Sequence, residues 1–535
     1  MSNPMQKTPI IGARQGNGSA SQKLTPIITV SLVSSLIMLD SNIVAVSLLA
    51  IGRSFETSFA GLQWVVSAYV LVFCACLLAA GSYSDLHGRR RAMATGLTIF
   101  AIASIACGLA PSLTILELSR GLQGAGAALL LTSSLAIVSH DFEGAERARA
   151  FAIWGASIGV ALASGPIAGG IITQLLGWRP IFLINGPICA ALLVATFYNI
   201  KESRDPEARG LDLSGAISFG FALALLVHAL IAANDTGLFN RGLLVQLVGV
   251  AILLALFLWL ESRNESAMVD LTLFRSRAFV GGLLTMAGYG AAMQVLIFLL
   301  PLYLQTVYGL APIDAGLAMI PFALPMVVAP QFAARLARHM SMASMLAFGL
   351  GLGAFGEAAI SIVSRATLPY PWFAVGIALA GCGAGLLNGL TVKAVQSAVP
   401  DERAGMASGM AATARFVGLL VGVALLGTIL ADRSHNVFVP LARLNGLTEH
   451  AAETLSRQLT SGDLSDLVAG ASTGATTSIH EEAVLAYANG FATAMVMGSV
   501  MAGFTAIVTL LLLRNRKPQT VTIQPCMIVD CRHPI

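Results

Sequence analysis

Four stretches of the chain set polar groups inside apolar surroundings, and each suggests a chemistry. Leu39-Asp40-Ser41-Asn42-Ile43-Val44 puts a carboxylate about fifteen residues into an apolar run that starts near Pro26. An unpaired acid at that depth could load and release a proton; a neutral acid bonded to a backbone group is the plainer alternative. Glu117-Leu-Ser-Arg120-Gly-Leu-Gln123-Gly124-Ala-Gly126 sets a carboxylate and a guanidinium three residues apart. They could pair with each other, or Arg120 could tune a carboxylate elsewhere, since it does not itself give up a proton readily. Gly81-Ser-Tyr-Ser-Asp85-Leu-His-Gly88-Arg89-Arg90-Arg91 puts Gly81 and Asp85 on one helix face. A carboxylate there could pair with a neighbouring helix start or an arginine and act as a latch; a basic loop that merely fixes orientation is the rival. Small residues recur every four positions at Ala161, Gly165 and Gly169, with Gly159 before them and Pro166 and Gly170 alongside. They form a groove for a closely packed helix, kinked by the proline.

The elements that must position these groups follow from composition. Of 535 residues, 56% are apolar and 11% charged, with a net charge of +4, and mean hydropathy is +0.79. Soluble domains carry roughly 25% charged residues, so this is an all-α polytopic membrane protein. A cytosolic enzyme, a secreted disulfide scaffold and a nucleic-acid binder are excluded, and the seven cysteines show no metal or disulfide spacing. Apolar runs predict fourteen helices, starting near Pro26, Gln63, Ala92, Leu113, Ala148, Trp178, Asp212, Gly242, Ala278, Pro312, Met342, Trp372, Ala404 and Ala486. One set of loops and both tails hold 21 of the 31 basic residues, the opposite loops seven, and Arg120, Lys393 and Arg415 fall inside spans. Both termini are therefore expected in the cytoplasm, with the protein in the cytoplasmic (inner) membrane.

The expected organisation is a tail (1–24), a six-helix bundle (25–200), a two-helix insert (201–262), a second six-helix bundle (263–513) and a tail (514–535). The insert is apolar on every side and should lie at the periphery, facing lipid. A polar loop on the outer (periplasmic) side spans 431–482, and Leu444 to Leu459 within it could form an amphipathic helix resting on the surface.

These motifs resemble those of a known family. The Gly81 to Arg91 segment is similar to the signature loop of the major facilitator superfamily, G-x-L-x-D-R-x-G-R-[RK], with Tyr83 and Leu86 departing from it. The resemblance implies a state-dependent latch formed by Gly81, Asp85, Gly88 and Arg89, docking near the thirteenth span at Arg403. Arg120 to Gly126 resembles the family's R-x-x-Q-G-x-G motif, associated with proton transfer. Gly165-Pro166-x-x-Gly169-Gly170 resembles the antiporter motif, two further glycines of which are Ala152 and Ala161 here. Leu39 to Leu49 resembles the L-D-x-T-[IV]-V-N-[VI]-A-L-P motif of fourteen-helix drug:proton antiporters, from which Asn42, Ala45, Ser47 and Leu49 depart. Trp178-Arg-Pro-Ile-Phe-Leu-Ile-Asn185, Leu300-Pro-Leu-Tyr-Leu-Gln305 and Asp401-Glu-Arg403-Ala-Gly-Met-Ala-Ser-Gly409 extend the likeness over nearly the whole chain.

The implied function is export of amphipathic, cationic drugs or toxic compounds in exchange for protons, with no cofactor beyond the proton gradient and no metal. Asp40, Arg120 and Glu357 are the candidates for proton coupling. Asp40, Asn42, Tyr69, Tyr289, Met293, Phe298, Phe322 and Arg415 are the candidates for the substrate pocket. Lys393 should reach toward the near membrane face, and His228 should be structural. The expected partners are a small-molecule substrate, protons and the lipid bilayer, with no nucleic acid, and the protein as a monomer. Two other readings stay open: an exporter of a specific metabolite, amino acid or siderophore whose anionic group would meet Arg415 or Lys393, and a transport-derived sensor. An intramembrane enzyme is disfavoured, because neither HExxH nor G-x-S-x-G occurs.

Overall fold

A helix bonds its own backbone polar groups internally, which an apolar chain in lipid requires, and the computed structural model is built accordingly. It describes residues 20–513 apart from 143, 206–209, 211, 237–239, 265–266, 268, 367, 401–402, 446 and 461–474. Among the described residues, fourteen helices are long and apolar enough to cross a membrane. Spans 1 to 7 are Leu24–Phe55, Phe59–His87, Arg89–Gly108, Leu113–Asp141, Arg149–Leu176, Pro180–Asn199 and Leu213–Asn234; spans 8 to 14 are Arg241–Arg263, Arg277–Thr306, Pro312–Ala333, Met342–Arg365, Tyr370–Gln396, Met406–Leu444 and Ile479–Leu513. An even number of crossings puts both ends of the bundle on one face, called here the terminal face; the other is the distal face.

Spans 1 to 6 pack among themselves, chiefly 2 on 4, 3 on 4 and 1 on 5, and spans 9 to 14 do likewise, chiefly 11 on 14, 11 on 12 and 10 on 12. Three spans are interrupted. Span 6 breaks at Ile184, span 9 contains a π turn at Gly290–Gln294, and span 10 breaks between Leu317 and Ile320. A π turn adds a residue to the helical repeat and re-aims the side chains around it.

The insert is not uniformly peripheral. Span 8 packs chiefly on span 7, whereas span 7 also packs on spans 2 and 13. Its Asn234 amide donates to Gln63 Oε1 at 2.7 Å, and Thr428 donates to Leu230 O at 2.8 Å. These polar groups near its distal end tie it to both bundles, while its outward His228 remains exposed. The expected loop at 431–482 is also largely helical. Span 13 continues to Leu444, the last helix starts at Ala475, and the short helix Glu449–Thr460 lies between them. That short helix buries Ala452, Ser456 and Leu459, and Ser456 Oγ and His435 Nδ1 share a hydrogen bond at 3.0 Å, so it docks on the extension of span 13. The Ser472 stretch lies outside the described residues.

Span 7 is capped at the terminal face by Asp212, whose Oδ1 accepts from Gly215 N and Ser214 Oγ, both at 2.8 Å. Burial would raise this carboxyl, but those bonds, together with hydrogen bonding to Glu261 and Asn264, outweigh it and hold Asp212 below the ordinary aspartate value. A lowered folded value stabilises the fold above the unfolded pKa and is lost as pH falls through the folded one. Asp212→Ala is expected to cost about 1 kcal/mol in thermal unfolding in detergent, with the deficit disappearing in acid; an equal deficit at all pH values would refute the charged cap.

Candidate functional site

Asp40 lies midway along span 1 and is 2% exposed. It is not alone. Arg120 Nη1 of span 4 donates to Oδ2 at 2.8 Å, Gln123 Nε2 to Oδ1 at 2.9 Å and Asn185 Nδ2 to Oδ1 at 2.7 Å. Arg120 also donates to Gln123 Oε1 at 2.6 Å and Val65 O at 3.3 Å, and lies 4.3 Å from the Tyr69 ring centre. Ser104 of span 3 accepts from Gln123 at 2.8 Å. Five spans thus converge on one ion pair with almost no access to solvent.

Local structure explains the convergence. Arg120, Gln123 and Gly124 share a face of span 4, and a Cβ on Gly124 would lie 2.3 Å from Tyr69 O, so spans 2 and 4 touch backbone to backbone. Asn185 opens the second segment of span 6, just after the break. The sequence expectation of an unpaired acid is therefore corrected: a second helix supplies the countercharge. Glu117 is only half-buried and makes no ion pair among the described residues. Gln123 and Asn185 stand in motifs quoted above, but Ser104 carried no signal, being a serine in an unremarked helix.

The remaining candidates separate. Asn42 is buried against Gly165 and donates to Met38 O at 2.6 Å. Met293 fills the notch left by Gly353 in span 11 and so points away from the bundle interface. Phe298 and Phe322 are buried without a ring contact to either polar cluster among the described residues. Tyr289 lies under Arg415, whose guanidinium carbon is 5.4 Å from the ring centre. Glu357 is fully buried with neither carboxyl oxygen hydrogen-bonded among the described residues, and it faces Gly498 of span 14. Burying it ionised would be costly without a partner. Lys393 is exposed near the terminal end of span 12. No group of three His, Cys, Asp or Glu side chains among the described residues could hold a metal.

The two bundles meet across the distal half. Gln305 donates to Val46 O at 3.0 Å, Gln63 to Val423 O at 2.8 Å, and Ile313 N to Gln174 Oε1 at 3.1 Å. The small residues of span 5 divide this work. Gly165 and Gly169 receive span 1 at Asn42 and Ile43, Gly170 receives span 10 at Pro312, and Pro166 O rests on Gly316. Gly159 faces Val327 at 3.8 Å.

At the terminal face the proposed latch is turned inward on its own bundle. Asp85 Oδ1 accepts from Arg89 at 3.2 and 3.3 Å, and Gly81 faces open space. Gly88, at φ 106°, starts span 3 where a Cβ would strike Glu202, and Glu202 accepts from Arg90 N at 3.2 Å. Arg403 pairs with Asp270 instead of reaching the Asp85 loop. Neutralising Asp85 removes only this partly exposed pair within its own bundle, so it should disturb this state little and exchange with another more. Asp85→Asn is expected to slow transport roughly tenfold, about 1.4 kcal/mol in barrier, with substrate affinity retained; lost binding in folded protein would exclude a latch.

Comparison with known proteins agrees with this architecture. Residues 30–423 match the Major Facilitator Superfamily. The chain is 37% identical over 417 residues to the multidrug resistance protein Stp of Mycobacterium tuberculosis, covering 76% of each chain. It is 34% identical over 417 residues to the drug efflux pump JefA of Mycobacterium tuberculosis, covering 77% of this chain and 80% of that one. Its fold is similar to the crystal structure of a bacterial homologue of the human lysosomal transporter Spinster in an inward-facing, occupied conformation, with a TM-score of 0.62 at 16% identity, covering 93% of this chain and 98% of that one.

Proposed function

The chain belongs to the Major Facilitator Superfamily, and from that premise we propose that it exports amphipathic drugs or toxic compounds from the cell in exchange for protons. The observation that carries the reading is the buried Asp40–Arg120 pair at 2.8 Å. In this state Arg120 and two amides satisfy the ionised acid. Protonating Asp40 removes the charge that holds the guanidinium, so a proton changes which conformation the N-terminal bundle favours. Return to the ionised pair releases the proton, and the bundles rock between the two states around the interface.

The distribution of Lys and Arg supports cytoplasmic termini in the inner membrane. The terminal face is then the inner face, and the distal contacts close the outer side. In this reading the protein is a transporter and not an enzyme. It works as a monomer in the bilayer, without a metal or cofactor, on the proton gradient alone, with protons and a small molecule as its partners. Glu357 remains a candidate for a second proton site; in that role Glu357→Gln would impair coupling less than neutralising Asp40.

The test is flux in proteoliposomes. An imposed pH gradient should drive amphipathic dyes against their own gradient, and adding dye to purified protein should change the pH of a weakly buffered solution. Dye flux indifferent to the pH gradient would refute antiport.

A further inference from the structure

Two arginines within the spans, Arg120 fully buried and Arg415 half-buried, differ in their partners. Arg120 has its carboxylate; Arg415 has none among the described residues. In the C-terminal bundle, Arg415 Nε donates to Gln294 Oε1 at 2.7 Å and Nη1 to Asn388 Oδ1 at 3.1 Å. These partners come from spans 9 and 12, and both are uncharged. Arg415 makes no ion pair among the described residues, whereas a guanidinium offers five N–H donors. We propose that the Arg415 cluster binds the anionic group, a carboxylate or its equivalent, of an amphipathic organic substrate. The proposal rests on the export reading and names the substrate class at the interface of the same two bundles.

Three further observations favour a built site over a stray charge. First, Arg415 stands nine residues into span 13, about 14 Å along the helix from Met406, and its head is held by neighbouring spans instead of extending to the membrane face. An uncompensated charge at such depth is costly, and membrane proteins keep such groups mainly for function. Second, the cluster is rigid. Gln294 ends the π turn of span 9, and a Cβ on Gly290 would lie 2.1 Å from Arg415 O, so spans 9 and 13 meet backbone to backbone at the root of this side chain. Tyr289, fully buried beside Arg415, has a hydroxyl without a hydrogen-bond partner among the described residues, leaving a second donor. Third, an apolar surface adjoins it. Phe416 meets Phe73 of the opposite bundle edge to face at 4.6 Å, and Phe73 stacks on Tyr69 at 6.1 Å. Tyr69 in turn lies under Arg120. This run is packed shut in the state seen here, with Tyr69 and Phe73 buried; an amphiphile whose acid reached Arg415 would lay its apolar body on it when the bundles part. A cation finds less there, because the charge of Asp40 is already answered by Arg120. The proposal departs here from the cationic substrates that the family resemblance implies.

The experiment compares two probes with one apolar body and opposite charge, 1-pyrenebutyrate and its trimethylammonium analogue, binding the full-length protein in phosphatidylcholine nanodiscs. Wild type should bind the carboxylate more tightly. Arg415→Gln should weaken that binding at least about tenfold, as expected for a lost charge-assisted hydrogen bond, and leave the ammonium probe unchanged or tighter. Asn388→Asp, nearly isosteric, gives Arg415 an internal counterion and should have the same effect. Preference for the ammonium probe, equal weakening of both probes by Arg415→Gln, or carboxylate binding unaffected by Asn388→Asp would overturn the proposal. In nanodiscs containing phosphatidylglycerol the carboxylate binding should persist; its loss would assign the site to an anionic lipid headgroup and overturn the substrate claim. Failure of the export reading is separable: carboxylate binding that depends on Arg415 but without proton-driven flux would remove antiport and leave the site standing. Flux of the ammonium probe without carboxylate binding would do the reverse.

Discussion

Asp40→Asn protein is expected to lose proton-driven transport and substrate-induced proton release, and to lose stability as well. Asn keeps the shape and a carbonyl acceptor, so the amides of Gln123 and Asn185 can still be met. It carries no charge, however, and Arg120 is 1% exposed with that carboxylate as its countercharge. Breaking a buried pair from one side typically costs about 3–5 kcal/mol, because the remaining charge stays buried without compensation. Asp40→Asn combined with Arg120→Gln removes both charges and should recover much of the lost thermal stability, since replacing the whole pair is far cheaper than halving it. Transport should not recover. This separation of readouts identifies a coupling pair: a purely structural pair would regain both stability and flux in the double variant. Retained proton release in folded Asp40→Asn protein would move the coupling role to Glu357 or Glu117.

The same pair shows what the sequence could and could not convey. Asp40 and Arg120 are visible singly, because a charge inside an apolar run stands out in one dimension. Their partnership is not, since 80 residues separate them and only the packing of spans 1, 2 and 4 brings them together. Glu117, three residues from Arg120, was the nearer acid in sequence and proved the wrong partner. Span positions were legible from hydropathy. The extension of span 13 was not, because Asp432, Arg433, His435 and Asn436 read as loop, although helix 404–444 carries them on its exposed or half-buried side while burying Phe438 and Ala442. The direction of Met293 was hidden for a related reason: it sits in the π turn of span 9 and fills the notch at Gly353, and nothing in the spacing of span 9 announces the extra residue. The Gly-Pro-x-x-Gly-Gly stretch was legible as a packing surface, but not its division between two partners, one in each bundle.

That division gives the other large effect, expected of Gly170→Val. A Cβ at Gly170 would lie 2.4 Å from Pro312 O and 2.9 Å from Ile313 Cα, too close for any non-bonded contact. The obstacle is backbone, so no rotamer change relieves it; span 10 has to move away from span 5. Because Gly170 faces the other bundle, while Gly165 and Gly169 face span 1 of its own, the clash is relieved by opening the distal contact and not by unfolding the N-terminal bundle. Overpacking of this kind costs about 1–3 kcal/mol, which shifts the equilibrium between conformations roughly fivefold to more than a hundredfold away from the distally closed state. Spin labels at Leu176 and Leu317, exposed at the distal ends of spans 5 and 10, report it in a background free of native cysteines. Their distance distribution should move to longer values in Gly170→Val and transport should fall steeply. Gly155→Val, on the same helix where a Cβ meets nothing within 4 Å, should change neither. An unaltered distribution in Gly170→Val with normal transport would show that the distal contact seen here is not a state the cycle visits.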